Sequence, residues 1–358
     1  MLRRALAHAV VLAGISVMLG VLAVLDVGRV GPIAGAQYVD RMAYCPASSC
    51  EGAAQVQLPF LTSFRYDPGI ERHVLQTAVQ SAAEDRRVEA IYVPKYSDRL
   101  QIRVNGALIH TDPDRRRPWN APLLIEVPPY LLMAGENIVT LVLTGDVPGR
   151  LDLHPISFGD QAVLSRAHAA RQMLGPGATR FSLTMMGLLT LGFLVVWSNR
   201  PRDRLFLWIG LSCGCACMYL SLLAFSFSVG GYKNWKLLQS ASMAGYALFM
   251  LAFVRAFLAL PVLRSEKVLA GLVALGLVAT FVVPIHLVNM TSMVVNISSV
   301  WAAVTIVVVM WERRRLVPTV DFLVFFPTLS LALAFAFDGL VHNLSGAPAC
   351  AFNAWSRR

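Results

Sequence analysis

The stretch "IRVNGALIHTD", residues 102–112, decides how the first half of the chain is read. Asn105-Gly106 stands between Ile102/Val104 and Leu108/Ile109, so two short strands joined by a two-residue type I′ turn are predicted. That turn needs positive φ at both central residues, and Asn-Gly is the natural pair that tolerates it best. A membrane-spanning helix has no use for such a turn. Yet the chain as a whole is apolar. Its hydrophobic fraction is 56% and only 15% of its residues are charged, with a mean hydropathy of +0.59. Soluble domains carry about 25% charge. Composition therefore defines a membrane protein with an embedded water-soluble β region.

Working outward from the hairpin, residues 37–180 keep a soluble character. Strand-like segments are "VQLPFLTSFRY" (56–66), "VEAIYVP" (88–94), "LQIRVNG" (100–106), "LLIEVP" (123–128), "NIVTLVLTG" (137–145) and "LDLHPISFG" (151–159). They alternate or carry β-branched residues, and Pro, Gly, Asn or Asp separates them. One segment, "GIERHVLQTAVQSAAED" (69–85), reads as a helix. Many short strands with one inserted helix predict an antiparallel sandwich or jelly roll over 37–160. Asp160–Leu174 follows as a helix capped by Asp160, within a connector at 161–180.

From Phe181 onward long apolar runs alternate with short loops. Spans are expected near 181–197, 205–229, 237–258, 268–287, 293–310 and 320–340, a six-helix bundle over 181–340 with a short tail at 341–358. Alternate loops differ in charge. Arg200, Arg202 and Arg204 fall in one, Arg255, Arg264 and Lys267 in the next on that side, and Arg313, Arg314 and Arg315 in the third. The intervening loops hold Lys233 and Lys236, or no basic residue at all. Positive residues stay cytoplasmic, so the β region is expected outside, in a periplasm. Residues 1–36 carry Arg3 and Arg4 before the apolar run Ala5–Leu25, either a signal anchor or a signal peptide, with the anchor preferred. The net charge of +10 has this topological explanation, and nucleic acid is not an expected partner. The bilayer is.

Candidate chemistry is sparse. "CGCAC" (Cys213–Cys217) lacks nearby His or carboxylate, and with Gly210 and Gly214 spaced as GxxxG it reads as helix packing. Cys45 and Cys50 lie in the exported region, where a small disulfide loop is expected. Asp321, Asp338 and His342 read as helix-end residues, His286 as a loop residue, and Arg255 as a snorkelling one. No catalytic, metal or cofactor signature is present in the sequence. In the loops of the β region Tyr96 and Trp119 lie near Asp112, Asp114, Arg115, Arg116 and Arg117. Aromatic faces beside charged hydrogen-bonding groups suit a small polar or carbohydrate-like ligand, with Tyr96, Trp119, Asp112 and Arg115 as its candidate contacts.

The segments "LQIRVNGALI", "WNAPLLIEVPPYLLMAGENIVTLVL" and "GRLDLHPISFGD" together look like a galactose-binding-like jelly roll, with Gly135-Glu136-Asn137 making the second turn. A jelly roll followed by a multi-span bundle resembles the bacterial seven-transmembrane receptors with diverse intracellular signalling modules. The resemblance implies an external sensing sandwich, a helix bundle that relays its state, and a diguanylate cyclase or histidine kinase output. The seventh helix and the output are missing from the pattern, so the expectation is a non-enzymatic sensory module of a bacterial inner membrane. It would act through a separate cytoplasmic partner, with a homodimer left open. An envelope enzyme or transporter with an external accessory domain is the alternative, as is a truncated receptor fragment.

Overall fold

Residues 31–45, 53–63, 71–81, 88–96, 99–112, 121–145, 150–225, 232–262, 264–284 and 287–313 are described by the computed structural model. They fall into two units that divide between Thr179 and Arg180.

In the first unit the strands are β1 (Ala36–Val39), β2 (Arg41–Cys45), β3 (Ala54–Gln57), β4 (Phe60–Ser63), β5 (Glu71–Ser81), β6 (Glu89–Val93), β7 (Arg99–Val104), β8 (Ala107–Thr111), β9 (Leu123–Glu126), β10 (Gly135–Gly145), β11 (Arg150–Leu153) and β12 (Ile156–Asp160). One sheet runs β1-β12-β6-β9, a second runs β3-β2-β5-β10-β7-β8, and β11 pairs with β4. Every pairing is antiparallel. A single buried cluster draws Val39, Ile91 and Phe158 from the smaller sheet and Met42, Leu75, Ile102 and Leu141 from the larger. The two sheets therefore face each other across one core. Burying each such side chain is worth about 1.5–3 kcal/mol.

The expected hairpin is β7–β8. Asn105 has φ 49° and Gly106 φ 85°, the positive pair a type I′ turn demands. Below it Val104 faces Ala107, and the register slips between Ile102 and Arg103, leaving a bulge in β8.

Helix α1 (Gln161–Gln172) starts where expected: Asp160 Oδ1 accepts the Ala162 N–H at 2.7 Å. Its Leu164 is buried with Ala90 and Tyr92 in a cluster outside the main core. The smaller sheet is thus covered on both faces, which explains why "EAIYV" in β6 is buried at four successive positions. In β7, which has one covered face, burial alternates. Burial beneath α1 pushes the Tyr92 phenol up to about 12.

One expectation fails. Residues 69–85 were expected to be helical, but Glu71–Ser81 is a strand of 11 residues at the centre of the larger sheet. Leu75 and Val79, both fully buried, are four apart. That spacing places residues on one face of a helix and equally on one face of a strand. Pairing with β10 along the whole length, and with β2, decides for the strand. Strands β1 and β2 are an addition that weak alternation in the sequence did not announce.

The second unit holds α2 (Ala178–Asn199), α3 (Arg204–Ala224), α4 (Tyr232–Phe257), α5 (Arg264–Val282) and α6 (Val288–Glu312). Helices α1 and α2 join through a π-helical segment, Met173–Gly177, with Pro176 inside it. Gln161–Asn199 is therefore one helical run of 39 residues. Among the described residues five helices are long and apolar enough to cross a membrane by length and composition. Phe181, Leu188, Leu191 and Val195 form an exposed stripe on α2, a surface suited to lipid rather than water. The expected span at 320–340, the segment 1–30, the tail 341–358 and His286 lie outside the described residues.

Small residues set the helix contacts. A Cβ on Gly210 would lie 3.1 Å from Leu194 Cδ2, and one on Gly214 would lie 3.4 Å from Thr190 Cγ2. Both glycines face α2, as does Cys217, whose Sγ reaches Leu183 O at 4.0 Å. Cys215 faces α4 instead, where a Cβ on Gly245 would meet its Sγ at 2.7 Å. Cys213, Cys215 and Cys217 are free thiols. "CGCAC" thus packs two neighbouring helices at once. Arg255, expected to snorkel, instead pairs with Glu266 of α5 at 3.0 Å.

Candidate ligand-binding site

Of the four residues expected to contact ligand, Tyr96 and Asp112 come together. Tyr96 lies just after β6 and bridges to Leu153. It is buried and donates its hydroxyl hydrogen to Asp112 Oδ1 at 3.0 Å. Asp112, directly after β8, accepts the Leu100 N–H through Oδ2 at 2.9 Å. His110 Nε2 lies 3.1 Å from Oδ1. Burial alone would raise the Asp112 pKa. The hydrogen bonds from His110, the Leu100 amide and Tyr96 outweigh it and hold the carboxyl below its ordinary value. Both carboxylate oxygens are engaged inside the protein. Asp112 ties the end of β8 to the start of β7 and to Tyr96.

Trp119 and Arg115, with Asp114, Arg116 and Arg117, lie outside the described residues, as does Cys50. Cys45 is disulfide-bonded.

Sequence reasoning missed the neighbours of this pair. His110 stands two residues before Asp112, a spacing that puts alternate strand residues on one side. On the strand that bridges to Tyr96, Asp152 lies 3.2 Å from Lys95 Nζ and 4.0 Å from His154 Nε2. Asp152 and His154 were already in view as alternate residues of "LDLH". These three side chains are partly exposed and offer both donors and acceptors.

The turn residues have a role beyond their φ angles. Asn105 Nδ2 donates to Asn137 Oδ1 and to Leu131 O, each at 2.8 Å, and its Oδ1 accepts the Ile138 N–H at 2.9 Å. Asn137 is fully buried. Its Oδ1 also accepts the Met133 N–H, and its Nδ2 donates to Met133 O and Gly135 O. The "VNG" and "GEN" motifs are one hydrogen-bonded unit that fixes this end of the sandwich.

Among the described residues the helical unit offers no comparable cluster of reactive groups. Thr280, Ser292, Ser298 and Ser299 are buried and each donates to a carbonyl of its own helix. Ser212 bonds the Tyr246 carbonyl at 3.2 Å and Thr280 also bonds Thr291 at 3.0 Å, each between neighbouring helices. Trp197 Nε1, Gln239 Oε1 and Asn296 Oδ1 are buried without a hydrogen-bond partner among the described residues. Among the described residues no group of His, Cys, Asp and Glu could hold a metal ion.

No family model matches the chain, and no curated protein matches it. Among solved structures it is similar to a glycosyl hydrolase family 2 member from Bacteroides cellulosilyticus, at 12% identity and TM-score 0.29, over 35% of this chain and 20% of that one. A β-D-glucuronidase from Dictyoglomus thermophilum is similar at 11% identity and TM-score 0.28, over 37% and 29%. A β-D-mannosidase from the same organism follows at 14% and 0.24, over 30% and 15%. The chain spans less than a third of the length of these enzymes. At such scores the likeness carries no argument about activity.

Proposed function

We propose that this chain is a sensory module of a bacterial inner membrane. Its jelly-roll unit faces the periplasm and binds a small polar or carbohydrate-like ligand, and its helices relay the bound state. The observation that carries this reading is the helical run Gln161–Asn199. Its first part packs on the smaller sheet through Leu164, and its last part is an apolar span packed on Gly210 and Gly214. Any shift of α1 is thereby linked by covalent helix to a span. The π-helical turn at Met173–Gly177 is the point in that helix where the regular hydrogen-bond pattern is interrupted. A ligand can drive such a change only through different affinity for two states of the unit. Signalling chemistry falls to a separate cytoplasmic partner.

The test is thermal unfolding of the full chain in nanodiscs, challenged with fractionated small molecules from a bacterial envelope extract. At least one fraction should raise the unfolding temperature of the β unit, because a ligand present at 100 times its Kd adds about 2.7 kcal/mol. If no fraction moves it, the sensory reading fails.

A further inference from the structure

The smaller sheet is covered on its outer face by α1, but the outer face of the six-stranded sheet presents side chains of one distinct character. The register brings Arg103, Thr140, Gln76, Ala43 and Gln55 into one row across β7, β10, β5, β2 and β3. Two residues further along, Gln101, Val142, Val74 and Cys45 form the next row. Arg99, Thr144 and Arg72 form a third. Of these residues only Val142 and Cys45 are buried. Strands stand about 4.8 Å apart and rows about 6.7 Å, so on this lattice the guanidinium, amide and hydroxyl groups of the first and third rows flank a middle row that is polar only at Gln101.

The charge on this lattice is one-sided. Glu136, at the far end of β10, is its single acid among the described residues, standing opposite Gln80. No described carboxylate pairs with Arg72 or Arg103. An unpaired guanidinium offers a planar fork that fits a carboxylate with two parallel hydrogen bonds. A glutamine amide both donates and accepts, which matches a sugar hydroxyl. Among the described residues, exposed large apolar side chains on this face are confined to Leu108 and Ile138, so these residues form no apolar wedge of the kind an inserting membrane surface uses.

We propose that the outer face of the six-stranded sheet binds an acidic polysaccharide, with Arg72 and Arg103 holding its carboxylates and Gln76 and Gln101 its hydroxyls. This inference rests on the reading of the β unit as the exported, ligand-binding part of the chain. It adds a site distinct from the Tyr96–Asp112 end and a ligand class that the sensory reading leaves open.

The test is titration of the full chain, in nanodiscs of neutral lipid, with an alginate hexamer and with maltohexaose. The alginate hexamer should bind, and maltohexaose should bind at least tenfold more weakly. The double variant Arg72→Gln/Arg103→Gln should lose at least tenfold in alginate affinity while its unfolding temperature stays that of the parent. Equal binding of the two hexamers would overturn the proposal, as would a double variant that binds alginate as the parent does. Tighter binding to poly-glutamate of matched charge would also overturn it, in favour of an acidic protein partner. If alginate fails while an envelope fraction still stabilises the β unit, the sheet-face site is wrong and the sensory reading stands. If alginate binds at this face but leaves the Gln161–Asn199 helix unchanged, the site stands and the relay fails.

Discussion

In the sandwich, Asn137 is bonded to Asn105, 32 positions away along the chain. In the helical unit Ser299 bonds the carbonyl of Val295, only four positions back in its own helix. The same contrast holds for Asp112, bonded to the Leu100 amide and Tyr96, against Ser292 and Ser298, bonded to Asn289 and Val294. Each unit answers its solvent. In water, backbone groups left out of a sheet need specific tertiary partners, and a buried amide that serves them locks one arrangement of loops. In lipid, a helix already satisfies its own backbone, so most of the described hydroxyls fold back locally and contact between helices rests chiefly on small residues, with Ser212–Tyr246 and Thr280–Thr291 as bonds between helices. Polar bonds should therefore carry specificity in the sandwich, and shape should carry it among the helices.

Replacing Asn137 presses hardest on that contrast. Asn137→Leu removes the partner of Asn105 Nδ2 and of the Met133 N–H together, and should cost about 3–4 kcal/mol, at about 1–3 kcal/mol per stranded buried group. Thermal unfolding of the β unit should fall by roughly 10 °C. A drop under roughly 3 °C would show that the clamp is dispensable.

Next is Gly210→Leu in the helical unit, where a side chain would press into Leu194 and Phe193. Overpacking should cost about 1–3 kcal/mol, read as a lowered detergent midpoint of the helices with the β unit unaffected.

The pH response of Asp112 is a smaller effect of defined sign. Its pKa is depressed in the folded protein, so its contribution is full above the unfolded value of about 3.9 and is lost as pH falls through that value towards the folded one. The unfolding temperature of the parent should drop over that acid window. Asp112→Asn should be less stable than the parent at pH 7 and show a shallower acid slope. An unchanged slope would remove the ionic role of Asp112.

Smallest of all should be Ser298→Ala or Ser299→Ala, each within about 0.5 kcal/mol of the parent. A loss above about 2 kcal/mol would mean that these hydroxyls bond between helices after all.

Much of the architecture could be read from local chemistry. Asn105-Gly106 announced its turn because few residue pairs accept two positive φ angles, Asp160 announced a helix start, and the apolar runs from Phe181 marked six spans, five of which coincide with helices among the described residues. What stayed hidden depended on partners distant in sequence. Leu75 and Val79 fit either period, and only the β10 register made them a strand. Asn137 reads as a turn residue in "GEN" until Asn105 is placed against it. The candidate site was half legible: Tyr96 and Asp112 stood out as residue types, but their bond to each other comes from folding. The row that joins Arg103 to Gln76 and Gln55 spans four strand pairings, and no single segment displays it.

If the Gln161–Asn199 helix relays the bound state, the β unit and the span α2 respond together. Hydrogen–deuterium exchange on the full chain in nanodiscs, with and without a saturating envelope fraction or alginate hexamer that stabilises the β unit, tests it directly. Altered protection is expected across Met173–Asn199 as well as in the sandwich. Protection that changes only in the sandwich, with Met173–Asn199 unmoved at saturation, would contradict that relay.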